Sequence, residues 1–146
     1  MIRSAVPSDA KVLCDLLEQL GYANTSAFMP RRLQELLSHP DAMVFVYEIQ
    51  GHAVALLSLH RIPQIALEKD FLRISYFVVD QASRNAHIGA KLEAFATQIA
   101  REKGYDRIEV HCHERRKDAH RFYRDHGYVE SPKYFIKNLH VRSENA

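Results

Sequence analysis

Residues 71–104 constrain the fold most: a strand-like FLRISYFVVD passes through the loop QASRNAHIG into a helix-like AKLEAFATQIAREKG. A strand that hands over to a helix in this way presents the first helical N–H groups without intrahelical acceptors, at the positive end of the helix dipole. Arg84 lies in that loop, and Gly89 lets the backbone approach a ligand closely. Such a place suits a pyrophosphate. No Gly-Lys-Ser or Gly-Lys-Thr follows, so the segment is not a P-loop, and its glycine spacing does not match a Rossmann fingerprint.

A chain of 146 residues is long enough to close a substantial core, and a single domain over 1–146 is expected. With 20 basic against 18 acidic residues and a formal net charge of +2, it lacks the basic excess of a general nucleic-acid binder. A polyanionic small ligand needs only a local basic cluster. Cys14 and Cys112 fall on different predicted elements, form no disulfide framework and read as reduced thiols. The N-terminus has no apolar signal core, and no apolar run approaches a membrane span. A cytoplasmic protein with neither nucleic acid nor membrane as partner is the expectation.

Ile2–Val6 reads as a strand, and Ser8 as the N-cap of a helix to about Gly21, with Val12, Leu13, Leu16, Leu17 and Leu20 in one apolar stripe. Pro30 opens a second helix through Leu37, and Pro40 ends it. Met43–Ile49 and Ala53–Leu59 are strands joined by a tight Gln50-Gly51-His52 turn. Asp106–His113 is a further strand, with Glu109, His111 and His113 alternating against Ile108, Val110 and Cys112. Lys117–Asp125 is a short helix ended at Gly127, followed by strands at Tyr128–Glu130 and Tyr134–Leu139 around Ser131-Pro132, and a frayed tail after His140.

Two motifs in this order resemble the GNAT acetyltransferase superfamily. Arg84-Asn85-Ala86-His87-Ile88-Gly89 is similar to its acyl-CoA loop Arg/Gln-x-x-Gly-x-Gly/Ala, with His87 in place of the first glycine. Asp118-Ala119-His120-Arg121-Phe122-Tyr123 followed by Gly127-Tyr128 is similar to the family's Ala-x-x-Phe/Leu-Tyr-x-x-x-Gly-Phe/Tyr segment. RRKDAHRFYRDHGY also looks like the small bacterial aminoalkylphosphonate N-acetyltransferases. The resemblance implies an α/β GNAT fold: a mixed, mostly antiparallel central sheet flanked by helices and splayed at the acyl-CoA site. It implies acetyl-CoA as cosubstrate, direct acetyl transfer to a primary amine of a small molecule, and, at family level, a homodimer.

By the same resemblance, Val78, Val79, Arg84, Asn85, Ala86, His87, Ile88, Gly89, Ala90, Arg116, Phe122 and Tyr123 border the cofactor. The Val78 amide stabilises the carbonyl oxygen, and Tyr123 protonates the departing thiolate. Tyr22, Phe28 and Met29 fall where the family's acceptor pocket is bordered, with plain packing as the alternative. His87 is either tolerated because its position is already helical, with no need of positive φ, or contacts a phosphate.

An alkyl ammonium must lose a proton before its nitrogen attacks a thioester, so a base is required. Many GNAT enzymes carry a glutamate just before the Val-Val pair; here the register gives Arg73, Ile74, Ser75 and Tyr76. Tyr76 holding a water, His111, His113, Glu68, Asp70 and a water chain with no single base all stay open. His60 and Arg61 could receive an anionic acceptor. Glu109, His111 and His113 on one strand face form a chelating arrangement or simply a wet face; no third ligand is fixed, and no metal is assigned. Rival readings are a protein or peptide acetyltransferase, a CoA-binding module without catalysis, and a basic-helix DNA binder, the last opposed by the small net charge.

Overall fold

The computed structural model describes residues 1–131 and 134–140. The chain divides into two compact units, Met1–His111 and a second that begins at Cys112.

The first unit is built on a five-stranded sheet in the order β1 (Ile2–Ser4), β2 (Ala42–Ile49), β3 (His52–Ile62), β4 (Phe71–Val79), β5 (Ile108–Val110). All pairings are antiparallel except β4 with β5. The turn between β2 and β3 is a two-residue hairpin, with Gln50 and Gly51 both at positive φ, 50° and 81°. Such turns match the right-handed twist of paired strands.

Helices α1 (Ala10–Leu20) and α2 (Met29–Ser38) cover one face of the sheet. Leu13, Leu16 and Leu17 of the stripe are buried with Met29, Leu33, Val44, Val46, Leu56 and Val78. Helix α3 (Ile88–Glu102) packs on β3 and β4 and buries Ile88, Leu92, Ala96 and Ala100. The period of two along β3 sends Leu57 and Leu59 to the face opposite Leu56, so both faces of the central strands are dry.

The start of α1 corrects the expected Ser8 cap. Residues Pro7–Asp9 form a 3-10 turn, and Asp9 is the working carboxylate. It accepts the Val6 N–H at 2.8 Å and both Arg3 terminal nitrogens at 2.9 and 3.0 Å, while Arg3 Nε reaches Glu48 at 2.9 Å. A serine hydroxyl cannot compete with a carboxylate already fixed by a guanidinium.

In the second unit, α4 (Lys117–Asp125) ends as the glycine predicts. Gly127 adopts φ 89°, its N–H bonds to Arg124 O, and the Tyr128 N–H reaches Tyr123 O, a Schellman closure. The strands expected at Tyr128–Glu130 and Tyr134–Leu139 do not form among the described residues. Val129 and Phe135 are 88% and 96% exposed there. Apolar alternation specifies a strand only where an edge is present to pair with it. The Pro132 break and the expected tail beyond His140 lie outside the described residues.

Candidate active site

The β4–β5 pairing runs Leu72↔Ile108, Arg73↔Glu109, Ile74↔Val110 and stops, whereas β4 continues to Val79. From Ser75 onward β4 is paired on the β3 side alone. This is the splay that the resemblance implies. The direction of its amides follows from the ladder. The Asp80 N–H bonds to Val54 O at 2.8 Å, and antiparallel hydrogen-bonded pairs recur every second residue, so the Val78 amide faces Leu56 in β3. Phe77 and Val79 direct their N–H groups the other way, to the side that β5 leaves. Val78 itself is buried in the core with Leu56.

The register also slips within β4. Leu59 pairs with Ile74 and Ser58 with Tyr76, which makes Ser75 the extra residue of a β-bulge. The Ser75 hydroxyl lies 2.7 Å from His60 Nδ1 on β3. Burial, together with the charges of His39 and Arg73, holds the His60 imidazole below its ordinary pKa, against a smaller opposite pull from Asp41. Arg61, the other residue considered for an anionic acceptor, is already committed to Asp41 at 2.8 Å and Asp70 at 2.6 Å. Arg73 and Arg107 share Glu109 at 3.4 and 2.7 Å and both lie over the Phe71 ring.

Past Val79 the chain forms a 3-10 turn, Gln81–Ala86, before α3. Asp80 caps it by accepting the Ala82 N–H at 3.3 Å. Gln19 of α1, a residue that sequence reasoning passed over, brackets this turn by accepting the Gln81 N–H at 3.0 Å and donating to Asp80 at 3.3 Å. The Arg84 side chain is exposed and makes a long 3.5 Å contact from Nε to Val79 O.

His87 stands at the N-cap of α3 with φ 57° and ψ 25°. The position is left-handed, so the expectation that it needs no positive φ is corrected. The chain must fold back from the 3-10 turn into α3 within one residue, and the left-handed conformation makes that reversal. No side chain caps α3, so the leading amides around Ile88, Gly89 and Ala90 meet the loop without a side-chain acceptor. This donor set, beside the Arg84 cation, fits a diphosphate.

Tyr22 and Tyr76 meet edge to face at 5.4 Å and are 50% and 40% exposed. Phe28 is exposed as well, but Met29 is buried in the core and cannot line an open pocket. Burial raises the Tyr76 phenol above its ordinary pKa, more than the Arg32 cation lowers it. It therefore remains protonated near neutrality, an O–H donor beside Tyr22.

β5 ends at Val110, so Glu109, His111 and His113 do not share a strand face. The short strand reflects its pairing partner, which bends away at the bulge. Among the described residues no group of three or more His, Cys, Asp or Glu side chains could hold a metal ion. In the second unit, His113 Nδ1 accepts the Arg115 N–H at 3.1 Å. The lone pair that a base would use is thereby occupied.

Tyr123 packs edge to face on Phe122 and Tyr128 at 5.4 and 5.3 Å. Burial, with Cys112 adding to it and Arg116 opposing it, pushes the Tyr123 phenol far above its usual range. Such a hydroxyl keeps its proton at any physiological pH, the state an acid requires. Arg116 is exposed and reaches Cys112 Sγ at 3.7 Å.

A mixed α/β sheet whose central strand loses its parallel neighbour beside a strand-to-helix loop is the arrangement of the GNAT fold. The model of the Acetyltransferase (GNAT) family matches residues 11–128, and the chain belongs to that family. It is 32% identical over 129 residues to the aminoalkylphosphonate N-acetyltransferase of Salmonella typhimurium, covering 88% of this chain and 81% of that one. Among solved structures it matches a transcriptional regulator from Bacillus halodurans C-125 at TM-score 0.86 and 20% identity, over 95% of this chain and 99% of the other. A GNAT family acetyltransferase from Staphylococcus aureus matches at TM-score 0.81 and 21% identity, over 95% and 98%. At those identities the structures establish the fold. The protein is thus an acetyl-CoA-dependent N-acetyltransferase.

Proposed function

We propose that the enzyme transfers acetyl from acetyl-CoA directly to the primary amine of a small molecule, an aminoalkylphosphonate being the foremost candidate. The observation that carries this reading is the 32% identity, extending over 88% of the chain, to an enzyme named for that acceptor. Acetyl-CoA, when bound, supplies an activated acetyl thioester. In this reading Arg84, His87 and the leading amides from Ala86 to Ala90 hold its phosphates, with Asn85 in the same loop and Arg116 and Phe122 beside the cofactor. The oxygen-stabilising role passes from Val78 to the outward Val79 amide, because the ladder turns the Val78 amide into the sheet. Tyr123 supplies the proton that the departing thiolate takes.

We propose further that one catalytic domain of residues 1–146 works in the cytoplasm as a homodimer. Exposed apolar residues Phe135, Ile136 and Leu139 are the side chains a second copy would cover. Sedimentation tests that form: a dimer is expected, and a monomer at all concentrations would refute it.

The acceptor is tested by thiol release from acetyl-CoA against aminoalkylphosphonates, polyamines, amino acids, aminoglycosides and peptides, with and without a divalent metal. Release strongest with aminoalkylphosphonates is the expected outcome. Release with peptides alone would make the enzyme a protein acetyltransferase, and saturable CoA binding without release from any amine would make it a binding module.

A further inference from the structure

The central strand has no carboxylate at the place where a base is wanted, and the bulge in β4 brings a different pair together there. Ser75, the extra residue of the bulge, is the first residue of β4 beyond the last β5 pairing, at the mouth of the open edge. Its hydroxyl is 2.7 Å from Nδ1 of the part-buried His60. Ser75 precedes Val79 by four residues, about 13 Å at strand rise, a span that ordered waters can bridge between the reacting nitrogen and the serine hydroxyl.

Resting on the transferase reading above, we infer that Ser75 and His60 form the proton relay that accepts the acceptor nitrogen's proton during acetyl transfer. As the nitrogen–carbon bond forms and the carbon–sulfur bond breaks, the sulfur leaves with the electron pair and takes a proton from Tyr123. The nitrogen, made acidic by its bond to the acyl carbon, gives its N–H proton to Ser75 Oγ through ordered water. The Ser75 O–H proton passes to His60 Nδ1. His60 then returns its proton to solvent, and Tyr123 regains one, so the net change is amine plus thioester to amide plus thiol.

Two of the other candidate bases, His113 and Asp70, are engaged elsewhere, as is the neighbouring Glu109. The accepting nitrogen of His113 is bonded to the Arg115 amide, Asp70 is held by Arg61, and Glu109 bridges Arg73 and Arg107. The charged and titratable groups facing His60 are His39 and Asp41 from the segment after α2, and Arg73 from β4. Burial, His39 and Arg73 all favour the neutral ring, and only Asp41 opposes. A neutral imidazole whose Nδ1 receives the serine proton is what the relay needs.

The test is kcat at saturating amine from about pH 5 to about pH 9 in wild type, His60→Asn and Ser75→Ala, with acetyl-CoA affinity and melting temperature measured alongside. Wild type should show activity rising through an acid limb below the ordinary histidine pKa and then a plateau. Both variants should lose about 100-fold in kcat, bind acetyl-CoA within about twofold of wild type, and lack the limb. A folded His60→Asn that keeps the limb and full kcat overturns the relay. If His60→Asn does not fold, the Ser75→Ala profile decides in the same terms. Wild type that binds acetyl-CoA but turns over no amine overturns the transferase reading first and the relay with it, whereas active wild type with unaffected variants overturns the relay alone.

Discussion

The left-handed His87 offers a stability test that is independent of turnover. Its φ of 57° and ψ of 25° place an exposed L-residue in a conformation costing about 1–2 kcal/mol. Glycine removes that strain but adds about 0.5–1 kcal/mol of backbone entropy lost on folding. His87→Gly should therefore gain about 0.5–1 kcal/mol, which for a domain of this length raises Tm by about 2–3 °C. His87→Ala keeps the strained φ and should gain nothing. The assay is thermal unfolding of both variants without ligand, followed by calorimetric titration of acetyl-CoA. If the imidazole contacts a phosphate, both variants lose affinity alike, by about tenfold for about 1.4 kcal/mol. An alanine variant as stable as the glycine variant, or more so, would refute the argument from backbone strain.

Three further outcomes are expected. Tyr123→Phe, which keeps the ring packing and removes the acid, should lower kcat by about 100-fold and leave acetyl-CoA affinity within about twofold, read by steady-state kinetics and titration. Arg84→Ala should weaken acetyl-CoA binding by about tenfold, with a shallower salt dependence and little change in melting temperature. Asp9→Ala should cost about 1–3 kcal/mol by denaturant titration, because it leaves the Val6 amide without its acceptor and removes the bidentate partner of Arg3, which keeps Glu48. Arg3 holds the Asp9 carboxyl below the usual carboxylate range, so its contribution is complete above about pH 4 and is lost as pH falls through the depressed folded value. In Asp9→Ala that part of the acid destabilisation should vanish.

The strand, loop and helix of residues 71–104 were readable because each carries a local signal: β-branched and aromatic alternation, a loop with Arg84, and an apolar stripe ending at Gly104. The hairpin and the Gly127 closure were readable for the same reason, since a turn depends on a few adjacent residues. What depended on pairing was not. The bulge at Ser75 decides that Ser75 meets His60 and that the Val78 amide turns inward, yet a one-residue slip leaves no mark in composition. The length of β5 is likewise set by where β4 bends, so alternation through His113 overstated it. The left-handed fold-back at His87 was masked because positive φ is uncommon for any residue but glycine, although the family's glycine at that place pointed to it. Gln19 lies off the apolar stripe of α1, where a solvated residue is the ordinary reading, and only the tertiary fold brings it to Asp80 and Gln81.

The most direct measurement is to incubate the purified protein with acetyl-CoA carbon-13 labelled at the carbonyl and an aminoalkylphosphonate, and to follow the labelled carbon by NMR. The account predicts that the thioester signal is replaced by the amide signal of the N-acetylated phosphonate, in step with free thiol. Label that remains on CoA, or that appears on the protein itself in place of the small amine, would contradict it.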